Sequence, residues 1–153
     1  DKNMGCTKSK LDNLTFDKTP TFTLEGKKTK VKILKIYDGD TLWLALNLKG
    51  NFYKFKARMM GYDSPEIKPR LDVPNRELII KKANEAKNYL ESLINNKVVD
   101  AEFFKFDKYG RPLCNLYIKD TTSILPCKNK VCVNTLMVRN NHGYTYMGGK
   151  KRM

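Results

Sequence analysis

The chain has 153 residues, 41% of them hydrophobic, which suits one domain with a single packed core and excludes a disordered chain. No apolar run is long enough to span a bilayer, and no apolar stretch followed by small residues marks a signal peptide. Thirty Lys and Arg face sixteen Asp and Glu, a formal charge of +14. That excess attracts polyanions; nucleic acid comes first, and an anionic membrane surface is the other partner that charge alone allows.

Residues 1–21 are polar and aperiodic and read as a flexible N-terminal arm ahead of a domain spanning 22–153. Val31, Ile33 and Ile36 predict a first strand, ending at Asp38-Gly39-Asp40. Thr41 to Leu46 reads as a second strand, and Leu48-Lys49-Gly50-Asn51 has the chemistry of a hairpin turn. From Phe52 to Met59 a third strand alternates, so Lys54, Lys56 and Arg58 share one face. Asn75 is a candidate N-cap for a helix whose stripe is Ile79, Ala83, Ala86, Leu90 and Leu93, with Lys81, Lys82, Glu85 and Asn88 in water. Asn95-Asn96 ends it. Lys97 to Phe106 and Leu113 to Ile118 give two further strands, and Val133 to Asn140 a short helix.

Four cysteines, Cys6, Cys114, Cys127 and Cys132, match no zinc spacing. Cys127 and Cys132 are placed to face each other across a hairpin, with or without a disulfide. The single histidine, His142, precedes Gly143 near a helix end, where capping or solvent contact suits it better than catalysis. Three strands, a helix and two more strands predict an α+β fold, mainly β: a five-stranded oligonucleotide-binding (OB) barrel with packed helices.

The placement of acids in so basic a chain is the informative feature. Asp38-Gly39-Asp40-Thr41 lies where one strand turns into the next, and the glycine is expected to permit a tight turn. Arg58 stands at the end of the third strand, and Asp63, Ser64, Pro65 and Glu66 come after it. Carboxylates converging from two loops supply the oxygens that a hard divalent cation needs; Asp and Gly in turns are the plainer alternative. Arg58, five residues before Asp63, can lie across a pocket from a metal bound there. Glu66 can hold and deprotonate a water, with Pro65 stiffening the turn. Asp107-Lys108-Tyr109-Gly110-Arg111 adds a second planar guanidinium for a phosphate, or a charged hairpin tip. Together these parts fit phosphodiester hydrolysis.

Three motifs, YDGDT at 37–41, RMMGYDSPE at 58–66 and FDKYGR at 106–111, with VNTLMV at 133–138, resemble the thermonuclease, or staphylococcal-nuclease-like, family from about Lys30 to Tyr146. The resemblance implies an OB barrel and a calcium ion bound by Asp40, Asp63 and the Ser64 carbonyl, where the family usually has Thr. It implies Glu66 as general base or water-positioning group, and Arg58 and Arg111 on the scissile phosphate. Lys108 and Tyr109 would contact a terminal phosphate. Tyr146, or Tyr144 in its place, would stack near the substrate. Attack by water would leave a 3′-phosphate. The long C-terminal helix of the bacterial members is expected to be shortened or missing here, and the chain looks more like the family's eukaryotic and large-DNA-virus members.

The expected activity is a calcium-dependent nuclease on DNA and RNA. It would be indifferent to sequence, because phosphate contacts carry no base information. Single strands are preferred through Tyr and Lys side chains. A monomer with no membrane partner is expected. The alternatives are a barrel that binds nucleic acid without cutting it, and a basic scaffold for a membrane or an acidic protein.

Overall fold

Alternation of apolar and polar residues drives the barrel. The computed structural model describes residues 2–121 and 129–145. Strands β1 (Lys28–Ile36), β2 (Thr41–Leu48) and β3 (Asn51–Met59) form an antiparallel meander. A two-residue strand β4 (Tyr62–Asp63) follows, then helix α2 (Arg76–Ile94) after an N-terminal α1 (Lys2–Asp12). Strands β5 (Val98–Phe106), β6 (Pro112–Lys119) and β7 (Lys130–Cys132), helix α3 (Val133–Arg139) and strand β8 (Tyr144–Thr145) complete the order.

The sheet runs β3-β2-β1-β5-β6-β7, and a parallel β3–β6 pairing closes five of these strands into a barrel. Closure removes the free edges that an open sheet would present. Inward-facing Val31, Ile33, Leu42, Leu44, Leu46, Ala57, Met59, Phe103 and Leu116 fill the interior. The α2 stripe seals one opening with Ala83, Ala86, Leu90 and Ile94, all fully buried. The expected OB barrel with packed helices is therefore the observed fold, and the predicted strands and helices fall within a few residues of their places.

Local chemistry explains the joints. The β2–β3 hairpin turns through Lys49 and Gly50, both at positive φ (51° and 90°), the two-residue turn whose handedness matches strand twist. Asn134, buried at the start of α3, staples the closing seam. Its amide nitrogen donates to the carbonyls of Met60 (2.9 Å) and Cys114 (3.0 Å), and its Oδ1 accepts from the Leu116 N–H (3.1 Å). One buried side chain thus ties the end of β3 to β6.

Several details depart from the sequence reading. The arm read as aperiodic carries α1, whose described side chains are all exposed. Periodicity detects helices by the face they bury, and the described residues of α1 bury none. Asn75 occupies the N-cap of α2 in a left-handed conformation (φ 57°) and makes no side-chain capping bond. His142 does cap the helix end as expected, through its backbone N–H on the Met137 carbonyl (2.9 Å), while its ring packs on Tyr89 (4.6 Å between centroids). Cys6, Cys114 and Cys132 are free thiols, while Cys127, the other half of the expected facing pair, lies outside the described residues.

Candidate active site

The turn between β1 and β2 carries the first acids. Asp38 accepts the N–H of Asp40 (3.1 Å), and the Tyr37 N–H bonds the Thr41 carbonyl (2.9 Å). Gly39 is required here, though not for a left-handed turn. A Cβ at this position would stand 2.7 Å from the Ser64 Cβ and 2.9 Å from the Ala86 Cβ. Glycine lets the turn press against both the β4 loop and α2. The buried Tyr62 hydroxyl donates to the Gly39 carbonyl (2.7 Å) and locks that approach.

Asp40 is 4% exposed and fully bonded. Its Oδ1 accepts the Thr41 hydroxyl (2.9 Å), and its Oδ2 accepts the Ser64 N–H (2.8 Å). Arg58, at the end of β3, pairs with Asp63 and reaches Asp40 Oδ1 with its other terminal nitrogen (3.6 Å). One guanidinium therefore bridges carboxylates from two loops, in a half-buried setting where an uncompensated charge is costly. Asp38 stands beside them; burial, then the Asp40 charge, pushes its carboxyl up to about 6.

The second basic arm is built differently. At the β5–β6 turn, Asp107 accepts the N–H groups of Tyr109 (2.9 Å) and Arg111 (2.9 Å) through one oxygen. Its other oxygen accepts Arg111 Nε (2.7 Å). Burial raises the Asp107 carboxyl, but the bonds from the Arg111 backbone and side chain and from the Tyr109 backbone outweigh it and hold it below the usual range. Lys108 and the Arg111 guanidinium both lie over the exposed Tyr109 ring, 5.1 and 5.3 Å from its centroid. The β3–β6 closure pairs Arg58 with Leu113, two residues beyond Arg111, so both arginines enter at the same end of the barrel.

Arg58, Asp40, Asp63 and Ser64 are thus brought into direct contact, and Arg111, Lys108 and Tyr109 form a neighbouring cluster. Glu66 is exposed in the segment between β4 and α2. Tyr146 lies outside the described residues; its alternative, Tyr144, pairs with Asp63 across β4–β8 and is half-exposed. Sequence reading gave no role to Asn134, Tyr62 or Asp107, which hold the site rather than line it. The signal for Asp107 was present: an Asp four residues before an Arg in a tight turn.

The donors fit a hard cation. Asp40, in the β1–β2 turn, and Asp63, in β4, are two buried carboxylates, and among the described residues the buried Ser64 hydroxyl oxygen has no hydrogen-bond partner. All of these atoms are oxygens, the ligands that calcium and magnesium take. Among the described residues no three His, Cys, Asp or Glu side chains converge on one point. Two carboxylates leave coordination positions for carbonyl, water and phosphate oxygens, as an ion acting on substrate requires.

A protein of Methanocaldococcus jannaschii described as uncharacterized is similar to this chain, 29% identical over 129 residues. The match takes in 74% of this chain, which spans 60% of that protein's length. A family model described as staphylococcal nuclease homologue matches residues 56–149, more than half of the chain, from the middle of β3 onward. Arg58, Asp63, Glu66 and Arg111 fall inside that stretch and Asp40 before it; hydrogen bonds and charge tie Asp40 to the rest. By that match and by its closed five-stranded barrel, the chain belongs to the staphylococcal nuclease homologue family.

Proposed function

We propose that the protein is a calcium-dependent nuclease that hydrolyses phosphodiester bonds of DNA and RNA and leaves 3′-phosphates. The observation that carries this reading is the cluster at one end of the barrel. Two buried carboxylates share a single arginine there, beside a second arginine clamped by its own aspartate. A binding module needs the cations but has no use for buried acids beside them, since acids repel phosphate.

In this reading Arg58 and Arg111 each present a planar fork to the nonbridging oxygens of the scissile phosphate. Their charge offsets what accumulates on those oxygens in the transition state, and losing one such contact costs roughly a hundredfold or more in rate. Glu66 accepts a proton from the attacking water, an assistance worth about a hundredfold or more. The water oxygen bonds to phosphorus, the P–O5′ bond breaks, and the 5′-oxygen leaves with a proton. Asp40, Asp63 and the Ser64 carbonyl would hold the calcium, which would supply positive charge at the phosphate and a more acidic water. Lys108 and Tyr109 would contact a neighbouring terminal phosphate, and Tyr146 or Tyr144 would stack beside the substrate.

The test is cleavage of single-stranded DNA with calcium and with a chelator, alongside Glu66→Gln. Calcium-dependent cutting that the substitution slows at least about a hundredfold, with binding retained, supports the reading. Tight binding without cutting under any divalent ion would replace it with a non-catalytic binding barrel.

A further inference from the structure

The outer face of the barrel divides into two unlike halves. Where β1 runs beside β5 and near β7, two of its lysines, Lys28 and Lys30, are matched by acids. Lys28 pairs with Glu102 (3.8 Å), and Lys30 and Lys130 both pair with Asp100 (3.2 and 2.9 Å). Toward β2 and β3 the acids stop. Among the described residues no ion pair includes Lys35, Lys54 or Lys56.

These lysines alternate with aromatic rings in register. Lys35 pairs across to Trp43, and Trp43 to Lys56; the next row toward the site joins Thr41 to Arg58. The Lys54 ammonium lies over the Trp43 ring (5.6 Å) and the Lys56 ammonium over the Tyr37 ring (4.8 Å). Lys54, Lys56 and Arg58 occupy alternate positions of β3, which has no bulge against β2, so all three leave the same face. Their spacing is roughly 6.8 Å, two residues of rise, close to the step between phosphates of an extended strand. The last of the three is the arginine that contacts Asp40 and Asp63.

We propose that this face of β1, β2 and β3 is a track for single-stranded nucleic acid that leads the strand to Arg58. The proposal rests on the nuclease reading for its direction and extends it to a surface outside the site. Lys54 and Lys56 take successive phosphates. Trp43 and Tyr37 offer ring faces to bases once the lysines swing off them, the pairing of charge and stacking that sequence-tolerant single-strand binders use. Asp100 and Glu102 repel phosphate from the other half and hold Lys28, Lys30 and Lys130 in ion pairs, which selects the track's side.

The experiment measures binding in chelator, where cutting plays no part. It compares a single strand of about 20 nucleotides, longer than one barrel covers, with a dinucleotide. Lys54→Ala/Lys56→Ala should weaken the long strand about tenfold and lower its salt slope by about 1.4, two contacts at roughly 0.7 each. Trp43→Ala should weaken it by a similar factor. Dinucleotide binding should not change. The charge-matched Lys28→Ala/Lys30→Ala should leave the long strand within about twofold, since those lysines are already paired. Equal losses in the two double variants would overturn the track in favour of net charge. Loss on phosphatidylserine vesicles without loss on the long strand would overturn it in favour of a membrane face. The full binding pattern in a protein that never cuts would uphold the track while ending the nuclease reading.

Discussion

Arg58 and Arg111 enter the same end of the barrel, yet they are held in opposite ways. Arg58 is the one cation that pairs with both Asp40 and Asp63 among the described residues. Arg111 is the guest of one carboxylate that is already committed, through two backbone N–H groups, to shaping its turn. In the proposed reading the first arrangement is remade when a cation arrives, because Asp40 and Asp63 then gain a new counter-charge and Arg58 is released toward phosphate. The second is fixed, since Asp107 keeps its backbone bonds whatever the guanidinium does. One arm is thus suited to adapt and the other to aim.

The largest effect should come from breaking the shared arm. Arg58→Ala leaves two buried carboxylates facing each other and should cost about 3–5 kcal/mol of stability. Calcium should restore part of the loss, so the melting temperature of the variant should rise more with calcium than that of the parent. An equal response in both proteins would mean that the carboxylates do not receive the ion. Arg111→Ala should change stability far less, because Asp107 keeps its bonds to Tyr109 and Arg111 N–H groups.

Asn134→Ala tests the seam that sets the two arms side by side. It strands two carbonyls and one N–H in the interior and should cost about 3 kcal/mol by denaturant unfolding. Gly39→Ala forces a methyl against Ser64 and Ala86 and should cost about 1–3 kcal/mol. Its effect on cleavage should exceed its effect on stability, because Ser64 donates to Asp40. The smallest effect belongs to the fixed arm. Asp107 binds its proton less readily folded than unfolded, so its contribution is present above the ordinary carboxylate pKa, about 4, and fades as pH falls below it. Asp107→Asn should flatten acid unfolding in that range and cost about 1 kcal/mol at neutral pH. An unchanged acid limb would show that the turn does not depend on this charge.

Much of the barrel was legible because its strands alternate and its helix α2 repeats apolar residues at helical spacing. The hairpin was legible from Lys49-Gly50. Helix α1 was not, because its described residues bury no face, and β4, β7 and β8 are too short to carry a period. Of the site, Arg58, Asp40, Asp63 and Ser64 were named from the sequence, and the fold brings them into contact. What sequence could not convey was that Gly39 serves a close approach rather than a turn. It also could not convey that Asn134 reaches Met60 across seventy-four positions and Tyr62 reaches Gly39 across twenty-three, through contacts that only the closed barrel creates.

The central claim is that the acids and arginines at this end of the barrel cut phosphodiesters together, and Asp40 tests it most directly because it lies outside the family match. Cleavage of a labelled single strand should be followed across a calcium titration for the parent and for Asp40→Asn. The account predicts that the variant binds the strand in chelator as well as the parent does, yet loses calcium-dependent cleavage by about a hundredfold or more. Undiminished cleavage with the same calcium midpoint would contradict it.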